Sequence, residues 1–260
     1  MAGISFEEII SSKPFRFSIG LQKREFTMHS ALVAICSPAL DRLVNGEFKE
    51  AQDLHAELES MNEETFILFA QYAYTGDYNR EMSKEAKSFI VETSKTEVIV
   101  VDPEPDVAER VDDWGWGVNS KKTKCNKLWI EFKKEHSTAL PARKDWPATK
   151  SCAGNVILSH AQLYVFADCY GISGLMDLSL CRLGKALVDI EVDDDKVEDI
   201  VDTLQYCYDE LTPPKLRSLL VLYAACKIET LWKSTKFREL STRHGELSTA
   251  IIGAMIGRLG

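Results

Sequence analysis

Residues 26–51 read FTMHSALVAICSPALDRLVNGEFKEA, and this stretch decides the fold. Phe26 and Met28 alternate with polar neighbours, the period of a half-buried strand. Helix signals follow at once. Ala31, Leu32, Ile35 and Cys36 make one apolar face, and Ser37-Pro38 breaks it. Pro38 suits the first turn of a new helix with Leu40, Leu43 and Val44 inward. Asn45-Gly46 stops that helix.

The flanks extend the pattern. In PFRFSIG (residues 14–20), Phe15, Phe17 and Ile19 point one way and Arg16 and Ser18 the other. A polar turn then joins this strand to the one carrying Phe26 and Met28, which predicts a hairpin. Downstream, LHAELE (residues 54–59) alternates again, with Leu54, Ala56 and Leu58 inward and His55, Glu57 and Glu59 outward. Asn62 suits the N-cap of a helix in which Phe66, Phe69, Ala70 and Ala73 recur at helical spacing. Gly76 ends it.

Composition changes after Tyr78. Residues 92–113 hold eight acids and two bases, residues 118–150 nine bases and three acids. We read 80–154 as an insertion, acidic then basic and partly disordered. Within it VIVV (98–101) suits a short edge strand and KLWIEFKKEH (127–136) a short helix. Order returns in SHAQLYVFADCYGI (159–172), where Leu163, Phe166, Ala167 and Tyr170 form a stripe, Ser159 suits the N-cap and Gly171 the stop. A helix from Gly174 to Leu187 pairs with it through a short link. The remainder predicts helices over 195–208 and 214–232, then one or two more to Ile256.

The whole chain is acidic. Its 260 residues carry a formal charge of -9 and a pI near 5.2, which argues against a surface built to neutralise phosphates. No uncharged apolar run reaches the roughly 18 residues of a spanning helix, and the first ten residues lack the basic start of a secretory signal. Seven cysteines stand singly with no CxxC, which fits reduced thiols in the cytoplasm or nucleus.

Taken in order, FRFSIG, FTMHSALVAICSPAL, GEFKEA, FILFAQYAYTGDY and HAQLYVFADCYGISGL resemble the BTB/POZ domain, and most closely the BTB proteins of filamentous fungi. The resemblance implies an α+β fold, a small sheet flanked by helical hairpins. It assigns residues 10–187 to one BTB/POZ domain interrupted at about 80–154, and 188–260 to a C-terminal helical extension of the BACK type. It implies a protein–protein interaction module with no cofactor and no metal. Where many animal BTB domains place an Asp before the first core strand, this chain has Lys13-Pro14.

In BTB adaptors of the cullin-3 ubiquitin ligase, a hydrophobic-x-Glu motif fills a groove on the cullin. Phe48, Lys49 and Glu50 match it here, with Leu43 and Tyr74 as neighbouring surface. One buried aromatic anchor is enough to supply most of such a hot spot. The competing expectations are a self-associating BTB scaffold in transcriptional regulation and a nucleic-acid-associated factor. The last would use Lys121, Lys122, Lys124, Lys127, Lys133 and Lys134, with Trp129 and Phe132 stacking bases; a solvated charged loop is the plainer reading. An adaptor also needs a client-binding region, and only the insertion and the C-terminal helices remain for that task.

No enzyme motif supports catalysis. His29 as a base for Cys36 or Ser30 competes with a helix-start histidine bonded to a neighbour, and no orienting carboxylate accompanies it. The run EVDDDKVED (191–199) lacks the central Gly and terminal Glu of a calcium loop and reads as a helix N-terminus.

Overall fold

The computed structural model describes residues 4–79, 119–137, 155–190 and 194–259; for 119–127, 194–195 and 257–259 it describes the backbone alone. The acidic half of the predicted insertion and its VIVV strand lie outside the described residues.

A short helix, α1 (Phe6–Ser11), opens the fold. Its N-terminus is closed by a reciprocal cap, in which the Glu8 amide donates to the Ser5 hydroxyl and the Ser5 amide to the Glu8 carboxylate. Strands β1 (Pro14–Ile19) and β2 (Arg24–His29) form the predicted hairpin, with Phe15 opposite Met28 and Phe17 opposite Phe26. Strand β3 (His55–Leu58) pairs with β1 in parallel, Phe17 opposite Ala56. Parallel strands need a crossover. It is built from α2 (Ser30–Cys36), α3 (Pro38–Asn45) and α4 (Lys49–Asp53). Helix α5 (Glu63–Thr75) follows, capped by the Asn62 side chain and ended by Gly76 at φ 73°, as its sequence predicts.

Phe15, Phe17 and Ile19 are buried, as the alternation requires, but so is Ser18. Strand β1 is the central strand of three. The neighbouring His55 reaches across to the Ser18 hydroxyl at 2.8 Å, so neither side chain simply faces water as expected. Helix α2 is rotated from its predicted face. Leu32 and Val33 are buried, whereas Ile35 is exposed. Two turns of helix are too few for spacing to fix rotation, and packing against α1, α3 and α5 sets it instead.

The later helices are α6 (Asn119–His136), α7 (Val156–Cys169), α8 (Ser173–Asp189), α9 (Asp194–Asp209), α10 (Pro214–Cys226), α11 (Ile228–Leu231), α12 (Thr235–Arg243) and α13 (Gly245–Leu259). The cap of α7 is Asn155 rather than Ser159. Its side chain accepts from the Leu158 amide and donates to the Asp199 carbonyl, a tie to α9 that the local sequence does not announce. Ser159 lies one turn inside and is buried. The predicted helix over 214–232 is broken at Lys227, whose backbone leaves helical geometry at φ -108°, ψ 16°.

Two cores result, and α7 and α8 belong to both. The first core holds the sheet, α2, α3 and α5 with Leu163, Phe166, Ala167, Leu175 and Leu178. A line of rings runs through it, Phe15 to Phe17 to Phe66 to Phe69 to Phe166, with centroids 4.8–6.0 Å apart. The second core holds α6 and α9–α13 with Ile157, Ala161, Tyr164, Leu183 and Leu187. The pieces before and after the charged span therefore close on each other.

Helix α6 contains the short helix predicted over 127–136 and extends it to Asn119, which corrects the reading of the basic run as a solvated loop. Phe132 is 1% exposed, packed between Trp129, His136 and Tyr223. Burial of that one ring outweighs the charge around it in deciding where the helix sits.

Candidate protein-docking site

The Phe48 loop is held from both ends. Ser37 caps α3 by accepting from the Leu40 amide, with Pro38 in the first turn. At the other end the Gly46 amide donates to the Arg42 carbonyl. A Cβ at residue 46 would stand 2.2 Å from that carbonyl oxygen, so the tight exit from α3 requires glycine. Phe48 then stands at the N-cap of α4 in extended geometry, and Leu54, left-handed at φ 51°, is its C-cap. The Gln52 side-chain amide donates through Nε2 to the Glu47 carbonyl and closes the loop on itself.

On this frame Phe48 is 64% exposed, and Lys49 and Glu50 are exposed beside it. Leu43 is half-buried against the first core, so it supports the loop more than it offers surface. Tyr74 is 47% exposed on α5, with its hydroxyl 2.8 Å from Nδ1 of His29. Its described partner is thus the β2–α2 junction rather than the Phe48 loop. Ile35 on α2 is a further exposed apolar side chain, missed because spacing assigned it to the core.

His29 bonds Tyr74 and is not engaged with Cys36. The Cys36 thiol donates to the Leu32 carbonyl at 3.2 Å, and burial pushes its pKa up to about 11, away from nucleophilic thiolate. Among the described residues there is no group of three or more His, Cys, Asp or Glu able to hold a metal, and no helix long and apolar enough to cross a membrane.

The predicted basic patch divides. Lys133 and Lys134 are exposed on α6. The side chains of Lys121, Lys122, Lys124 and Lys127 lie outside the described residues. Of the two rings proposed to stack bases, Phe132 is buried. Trp129 is stacked on Phe132 with centroids 5.6 Å apart, and the ammonium of Lys227 sits 3.9 Å over its ring.

Residues 16–96 match the family model of the BTB/POZ domain. No curated protein matches the chain. The matched span takes in β1 from Arg16 on, β2, β3, α2–α5, Phe48 to Glu50 and Tyr74. It ends inside the span read as an insertion, and α7 and α8 lie beyond it. This α+β chain therefore carries, over residues 16–96, a segment similar to the BTB/POZ domain, a protein–protein interaction unit.

Proposed function

We propose that this protein is a non-enzymatic interaction module that presents Phe48 to a partner. In its most specific form it is an adaptor for a cullin-3 ubiquitin ligase, of the branch represented in filamentous fungi and acting in the cytoplasm or nucleus. The observation that supports this is Phe48 itself: an aromatic ring 64% exposed at the head of α4, with Lys49 and Glu50 free to orient a partner around it. Such a ring is poorly used in water and well used in an apolar pocket, where an anchor is worth about 2 kcal/mol or more.

Pull-down with the N-terminal region of a cullin-3 homologue tests it. Wild type should bind, and Phe48→Ala/Glu50→Ala should lose most of that binding. Retained binding by the double variant removes the site assignment. No binding by wild type removes the adaptor reading.

Self-association as a scaffold in transcriptional regulation is the second reading, supported by α1. Ile9 packs on the first core while Phe6 and Ile10 face outward, 74% and 53% exposed. Light scattering of the purified protein, wild type against Phe6→Ser/Ile10→Ser, distinguishes a dimer held by this helix from a monomer.

A further inference from the structure

A groove of about 390 Å³ opens where the β3–α5 turn, α7 and the end of α9 come together. Ligand-binding clefts are usually of roughly 300–1,000 Å³ and often lie where structural units meet. Phe166, Val165, Tyr170 and Tyr206 give it apolar and aromatic walls. Leu211 stands at its rim, 98% exposed. Asn62 and Gln162, hydrogen-bonded to each other at 2.5 Å, place amide groups on the lining.

The charge of this groove has one sign. Glu210 is the only charged side chain in the lining, and no Lys or Arg joins it. Glu59, Asp168 and Asp209, each one residue away from a lining position, are also exposed. Lys23 approaches Glu59 and His244 approaches Asp209. Among the described residues no basic group forms an ion pair with Glu210 or Asp168. Glu210 stands one helical turn from Tyr206, its amide donating to the Tyr206 carbonyl at 3.1 Å, and both line the groove, so a carboxylate and an aromatic ring belong to the same wall. That pairing receives a cation, by ion pairing at the carboxylate and by attraction to the ring face.

We propose that this groove docks a short segment of another polypeptide in which an Arg or Lys stands next to a bulky apolar residue. The basic group lies against Glu210 and the tyrosine rings, and the apolar neighbour against Val165, Phe166 and Leu211. The groove shares no residue with the Phe48 loop. The proposal goes beyond the adaptor reading and stands or falls separately, because its test needs no cullin.

The full chain, labelled with nitrogen-15, is titrated with the peptide acetyl-Ala-Arg-Leu-Ala-amide to millimolar concentration and followed by amide shifts. Shifts should gather on Cys169, Tyr170, Tyr206 and Leu211. Replacing the peptide's Arg by citrulline, or Glu210 by Gln, should weaken binding about tenfold, the scale of one charge-assisted contact. Cys169→Trp, at an exposed lining position, should block the groove while circular dichroism shows the same melting point. If that variant fails to fold, Glu210→Lys reports on the same contact from an exposed side chain. The proposal is overturned if the peptide shifts nothing at these positions, if citrulline binds as well as Arg, or if a folded Cys169→Trp or Glu210→Lys binds like wild type.

Discussion

The hydroxyl of Tyr78 lies 2.9 Å from Nδ1 of His160, across 82 residues of sequence. Both side chains are buried, and Arg182 lies over the Tyr78 ring while pairing with Asp77. The last described residues before the charged span are thereby tied to α7 and α8.

Tyr78→Phe removes the hydroxyl and keeps the ring, leaving a buried imidazole nitrogen without that partner. The expected loss is about 1–2 kcal/mol, the usual range for such a deletion. Urea denaturation should show a lower midpoint with an unchanged slope.

Phe132→Ala empties a site in the second core that is 1% exposed. A loss of about 3–5 kcal/mol is expected for a buried aromatic cut to alanine. Gly184→Ala attacks the same contact from α8, because a Cβ there would stand 2.7 Å from Nδ1 of His136. Helix α6 should loosen in both variants, with faster proteolysis within 119–137 as the measurement.

Phe48→Ala should separate binding from stability. A ring 64% exposed contributes little to the core, so the melting point should hold to within about 0.5 kcal/mol of stability while partner capture falls. A large drop in melting point would show that the ring is structural.

Alkaline pH should unfold the protein early. Burial pushes the thiols of Cys36 and Cys226 up to about 11 and Cys207 to about 12, from an ordinary value near 9. The unfolded chain then releases these protons first as pH rises. Stability from the buried thiols is complete below about pH 9 and is lost as pH climbs through the folded values. The urea midpoint should be flat from about pH 7 to 8.5 and fall by about pH 10–11; Cys207→Ala, though less stable throughout, should show a shallower decline.

Much of this architecture is legible in the chain. Phe15, Phe17 and Ile19 announce a strand by period alone, and Asn62 and Gly76 bracket α5 because their chemistry is local. What stayed hidden depends on distant partners. Ile35 faces outward because neighbouring helices set the rotation of α2. Asn155 caps α7 with help from Asp199, 44 residues away. The helix over 127–136 is legible, but the burial of its Phe132 is not, because six lysines between 121 and 134 make the span read as solvated. Of the candidate docking residues, Phe48, Lys49 and Glu50 are legible from the motif. The groove at Glu210 is not, because its walls come from three separate parts of the chain.

Because the α7–α8 hairpin serves two cores at once, packing through that hairpin holds the two halves in register. A nick between Asn79 and Asn119 should therefore leave the halves associated. Two separately produced pieces, one ending just past Asn79 and one starting near Asn119, should recognise each other and refold as a non-covalent pair, whereas the first piece alone should expose Phe66 and Phe69 and aggregate.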